Sequence, residues 1–165
     1  MNKVFSFLVI VPLAVFSLYA YNWCTSSKRT TQETITAIIN YPMSNVLARC
    51  KKDHNYNDED MIILEQELKR YLTLAAVKSK DDLGNGMFSH DVDNLWHSFI
   101  LFTNDYADFC TTHIGHFIHH VPEINEEKSP EQQEEAQKDF QAFIKNYEEL
   151  FGEEIHPVWF LDMVA

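Results

Sequence analysis

Along the chain, apolar residues recur at helical spacing, and no stretch keeps the two-residue alternation of a half-buried strand. Thr30 and Glu33 have the form of a capping box, Ile35, Ile38 and Ile39 follow at helical spacing, and Tyr41-Pro42 ends that helix. Met43, Val46, Leu47 and Cys50 repeat the i, i+3, i+4, i+7 pattern and predict a second short helix. Residues 53–60 form a polar turn. Within it Asn57 or Asp58 caps a longer helix, whose buried stripe is Met61, Leu64, Leu68, Tyr71 or Leu72, and Ala75. The loop 80–86 contains Gly84-Asn85-Gly86 and reads as a tight turn; no Lys-Ser or Lys-Thr follows it, which excludes a phosphate loop.

Residues 91–103 are apolar nearly all round, with Val92, Leu95, Trp96, Phe99, Ile100, Leu101 and Phe102, and predict a central helix buried on several sides. Thr103 or Asn104 caps the next helix, which presents Tyr106, Phe109, Cys110, His113 and Ile114 on one face and ends at Gly115. A short apolar segment, 117–120, is closed by Pro122. Ser129, Pro130 and Gln132 open the last helix, lined by Ala136, Phe140, Phe143, Ile144, Tyr147, Leu150 and Phe151, with Gly152 as its stop. The tail 156–161 is too apolar to dangle and is expected to fold back. The predicted fold class is all-α: one compact domain of five to six helices, without an internal repeat.

This helical domain, residues 25–165, is preceded by a different kind of segment. Residues 4–24 carry no charge, and about 20 helical residues span the hydrocarbon layer of a bilayer. Tyr19, Tyr21 and Trp23 gather at the downstream end, where aromatic rings favour the headgroup level. Residues 1–24 are therefore expected to be a transmembrane or signal-anchor helix that meets the membrane through residues 4–23, making the protein single-pass. A cleaved signal peptide is the competing reading, but Leu18-Tyr19-Ala20 lacks the small residue three places before the cut. Lys28 and Arg29 after the span nearly balance Lys3 and the amino terminus before it. Together with an unpaired Cys110 they favour a cytoplasmic domain.

Charge and cysteine count exclude whole classes. Thirteen Lys and Arg against 25 Asp and Glu leave −12, and an acidic surface repels phosphate backbones, so nucleic acid is not an expected partner. Three cysteines are too few and too scattered for a disulfide framework. The glutamates of the last helix read as its solvated side, with a protein partner docking on the acidic helix 130–151 as the rival reading.

Candidate chemistry concentrates in residues 91–122. Asp93 and His97 stand four apart and share a helical face, where a carboxylate can hold one imidazole nitrogen and leave the other for a metal or a proton. Cys110 lies on the inner face of the next helix, and His119 and His120 return after one more turn. Asp93, His97, Cys110, His119 and His120 are ligand types that zinc or another divalent transition metal takes. The spacing contains no Cys-x-x-Cys or His-Glu-x-x-His, and a hydrogen-bonded core of satisfied histidines competes with the metal reading. His113 ranks below the 119/120 pair, and His54, His90 and His156 read as surface or loop residues. Cys110 as a nucleophile is disfavoured, because its apolar face would raise the thiol pKa.

These residues resemble the glycine-rich domain-containing protein-like family. The pattern is Val92, Asp93, Trp96 and His97, then Thr103, Tyr106, Phe109 and Cys110, then Gly115, and finally His119, His120 and Pro122. The segment 151–153 and the Pro157/Trp159 pair are similar as well. The resemblance implies no particular reaction, and the N-terminal span lies outside it. Some relatives carry a second histidine two places after the Trp-His pair; here Phe99 stands there, which implies a reduced site if that histidine is a ligand.

Three functions are thus in contention. The first is a membrane-tethered binding or scaffold module with a structural metal; the second is a metal-dependent enzyme with an open coordination position; the third is an interaction module whose polar cluster is core. The first is the expectation, with no catalytic residue assigned.

Overall fold

The computed structural model describes residues 30–78, 86–121 and 129–160. Among them are six α-helices and no strand: α1 Thr31–Ile39, α2 Ser44–His54, α3 Asp58–Val77, α4 His90–Leu101, α5 Thr103–Phe109 and α6 Pro130–Phe151. A π-helical turn, Cys110–Ile114, prolongs α5, and a 3-10 turn, Pro157–Trp159, follows α6. The all-α expectation is met. The expected anchor, residues 80–85 of the expected turn, Pro122 and Leu161 lie outside the described residues. No helix among the described residues is long and apolar enough to cross a membrane.

Local chemistry sets most of the boundaries. Asn57 accepts the Asp60 amide at 2.9 Å while Asp60 accepts the Asn57 amide at 3.2 Å, which closes the first turn of α3. Ser129 and Gln132 exchange the equivalent bonds at the start of α6, and Pro130 occupies its first position, where a missing N–H costs nothing. Gly152 ends α6 at φ 68° and Gly115 ends the π turn at φ 93°, left-handed conformations that suit glycine. One expected cap does not form: α5 starts at Thr103 with Phe102 in the capping position and no side-chain cap. The chain has just bent sharply out of α4 there, and the Phe102 amide is spent on the Phe99 carbonyl.

Helices α2 and α3 pack on α4, α5 follows it closely, and α1 and α6 pack on α3. Val92, Leu95, Trp96 and Phe99 of α4 are buried among them. The side of α4 that none of the described helices covers departs from the expectation of burial nearly all round, for Leu101 is 69% exposed and His97 is exposed as well. The tail does fold back: Trp159 is buried, its ring centroid 4.7 Å from Phe143 and 5.9 Å from Tyr71.

A buried polar network, unanticipated from the pattern, holds this end together. Glu67 lies in the apolar stripe of α3 and is 1% exposed. It accepts from Trp159 Nε1 at 2.7 Å, from the Tyr147 hydroxyl at 3.0 Å and from Arg70 Nη1 at 3.2 Å. Arg70 continues outward to Glu153 and lies over the Tyr147 and Phe151 rings. Burial, and then the Glu67 charge, push the Tyr147 phenol above its ordinary pKa, so it stays protonated and able to donate.

Candidate metal centre

The centre begins with the register of α4. Ser89 accepts the Val92 amide, and the buried Val92, Leu95, Trp96 and Phe99 fix the rotation of the helix. That rotation leaves Asp93 and His97 stacked one turn apart on a partly exposed flank. His97 Nδ1 lies 3.0 Å from the Asp93 carbonyl and 3.2 Å from its Oδ2. Both oxygens can only accept, so Nδ1 carries the proton and Nε2 keeps a lone pair directed away from α4.

The second segment arrives through the π turn. Its wider winding and the positive φ of Gly115 redirect the chain, and residues 116–121 run back past α4 without regular secondary structure. A strut fixes their height: Trp96 Nε1 donates to the Tyr106 hydroxyl at 3.2 Å, and that hydroxyl donates to the Ile118 carbonyl at 2.6 Å. His120 then packs on Trp96, ring centroids 4.4 Å apart, with only 8% of its side chain exposed. Its Nε2 lies 3.0 Å from His97 Nε2 and 3.4 Å from Asp93 Oδ1.

Asp93, His97 and His120 thereby offer three ligand atoms within 4.8 Å of one another, a group that could hold a metal ion. Zinc–nitrogen bonds of about 2.0–2.1 Å in tetrahedral geometry put ligand nitrogens about 3.3 Å apart. Shifts of a few tenths of an ångström would therefore suffice for the two imidazoles. Burial lowers the His120 pKa, His97 lowers it further, and Asp93 opposes both. The lowered value keeps the ring neutral near pH 7, the form that ligates metal. The half-exposed His97, with 46% of its side chain accessible, leaves the solvent side of the group open.

Cys110 and His119 stand outside this group. Cys110 is fully buried beside the Tyr106 hydroxyl and the Ile118 amide. Burial raises its pKa, and the neighbouring Ile118 backbone and Tyr106 hydroxyl oppose that rise only in part, so the side chain stays a thiol and packs as a small hydrophobe. His119 is exposed and its ring lies against Phe117 at 5.0 Å, since consecutive side chains of an extended segment point to opposite sides. His113 packs on Tyr41 and Phe109, and His156 accepts the Val158 amide at the final turn. The Tyr106 strut was missed as a positioning element. Its sequence signal was a tyrosine on an otherwise apolar inner face, whose hydroxyl needs a partner.

No curated protein and no solved structure matches the chain. A family model described as UCP032817-like matches residues 31–158, from the first residue of α1 to the final turn, and so takes in Asp93, His97 and His120. With more than half its length matched, the chain belongs to the UCP032817-like family.

Proposed function

We propose that this helical domain is a metal-binding module in which Asp93, His97 and His120 hold a divalent transition metal and leave at least one coordination position to solvent. The observation that carries the reading is the meeting of these three donors, from two segments of chain, within 4.8 Å. A closed structural zinc site needs four protein ligands, whereas three with an exposed side suit a site that keeps water or takes a ligand. Two imidazoles and a carboxylate fit zinc and also ferrous iron. The openness of the same site supports a second reading, metal-dependent catalysis on a substrate bound at the free position.

Elemental analysis of the purified full chain tests the proposal: about one zinc or iron per chain is expected. His97→Ala and His120→Ala should lose it, while Cys110→Ser and His119→Ala should keep it. A metal-free protein, or metal retained in both histidine variants, overturns the reading. Cobalt-substituted protein separates open from closed, because added azide changes the visible spectrum only where a position is free.

We read residues 4–23 as the tether that keeps this module at a membrane, which the uncharged run supports, with the domain on the cytoplasmic side, which Lys28, Arg29 and the unpaired Cys110 favour. Sedimentation with membranes after a carbonate wash is expected, and release into the soluble fraction would count against it.

A further inference from the structure

On the other side of α4 lies a pocket of about 260 Å³, bounded by the start of α3, the start of α4 and the final turn. Ile63, Leu64 and Val158 supply apolar wall, and Asp60, Asp91 and His156 supply the polar groups. Asp91 and Asp93 are two residues apart on a helix, about 200° around its axis, so the pocket and the metal group occupy different faces. The volume is slightly below the usual range for drug-sized ligands, about 300–1,000 Å³, and so suits a smaller molecule; such sites are mainly apolar with a few fixed polar groups.

The polar groups are held in place by bonds that leave them capacity to spare. Tyr56 donates to Asp91 Oδ1 at 2.6 Å and is itself held by Asn94 Nδ2 at 3.1 Å. A carboxylate offers about four acceptor positions, so Asp91 can accept more. Asp60 Oδ2 accepts one backbone amide in the α3 capping box and likewise keeps room. His156 Nδ1 accepts the Val158 amide, which leaves Nε2 to carry the proton of the neutral ring. No Lys or Arg is among the described residues that line the pocket. Two acids with spare acceptor capacity beside apolar wall match a positive head on an apolar body. The net charge of −12 raises the local concentration of such molecules.

We propose that this pocket binds a small organic cation, an alkylammonium whose charged head meets Asp91 and Asp60 while its apolar part packs on Ile63, Leu64 and Val158. This site is independent of the metal group. Isobutylammonium and isobutanol, similar in shape and different in charge, test it by NMR titration of the full chain, read at the Ile63, Leu64 and Val158 methyls. The ammonium is expected to shift these methyls and to bind at least about fivefold tighter than the alcohol, the ratio one half-exposed ion pair supplies.

Asp91→Asn, which still accepts from Tyr56, should bring the two probes within about twofold of each other. Glu135→Gln, an equal loss of charge on the exposed face of α6, should change nothing. Ile63→Trp should fill the space and abolish both titrations. Equal affinities for the two probes, an Asp91→Asn titration like that of the unaltered chain, or a Glu135→Gln effect as large as that of Asp91→Asn would overturn the proposal. So would the absence of any shift at the three methyls.

Discussion

Two polar clusters in this domain bring together side chains from distant parts of the chain, and they are finished to different degrees. Around Glu67, 80 residues separate the carboxylate from the Tyr147 donor and 92 separate it from the Trp159 donor, and the carboxylate is enclosed. Around Asp93, His97 lies one turn away on the same helix and His120 is 23 residues on from His97. There the solvent side remains open. A buried carboxylate needs its donors merely to exist in the folded state, because an unsatisfied charge in the core is expensive. A partly exposed one can be completed by water or a metal. The contrast separates a cluster that closes the fold from one able to accept something from outside.

The sharpest way to break that contrast is Glu67→Ala. It leaves the Trp159 N–H and the Tyr147 hydroxyl without their acceptor and takes from Arg70 one of its two carboxylates, Glu153 remaining, and should cost about 3 kcal/mol or more of stability in denaturant unfolding. Asp93→Ala in metal-free protein should cost much less. Similar losses in the two variants would erase the distinction drawn between the clusters.

Metal addition should sharpen it. Zinc at 100 times its dissociation constant should stabilise the unaltered chain by about 2.7 kcal/mol, visible as a higher melting temperature. That gain should persist in a folded variant at the Glu67 cluster and vanish in His97→Ala.

A smaller effect is expected at the strut. Tyr106→Phe removes the hydroxyl that links Trp96 to the Ile118 carbonyl and should cost about 1–2 kcal/mol. Because the strut sets the position of His120, metal should also bind about tenfold more weakly. Undiminished affinity would show that packing on Trp96 alone places the ring.

The smallest effect is on pH dependence. The folded-state pKa of His120 lies below the ordinary histidine value of about 6.5. Above that value both the folded and the unfolded ring are neutral, and the stability contribution is complete. As pH falls below it, the unfolded chain takes up the proton first, and stability is lost until the lowered folded value is passed. Metal-free protein should therefore melt at a lower temperature at pH 5 than at pH 7.5, and His120→Asn should reduce the difference. An unchanged slope in that variant would assign the pH dependence to other groups.

How much of this could be read beforehand follows the range of the interactions. The helices were legible where local bonds set them: Asn57 with Asp60, Ser129 with Gln132, and Gly115 and Gly152 at their stops. The Asp93/His97 pair was legible for the same reason, since four residues on a helix fix a shared face. Choosing among Cys110, His119 and His120 was beyond the sequence. That choice depends on a π turn, on the Tyr106 strut and on which side of an extended segment faces α4.

The sequence by itself determined an all-helical domain, the apolar stripes that pack it and the shared face of Asp93 and His97, because each follows from neighbours within a turn or two. The tertiary structure alone decided that Glu67, placed in an apolar stripe, is satisfied by Tyr147 and Trp159, and that His120, not Cys110 or His119, completes the Asp93/His97 group. Those outcomes rest on contacts between segments far apart in the chain. Their geometry exists only after the helices have packed, and no local spacing encodes it.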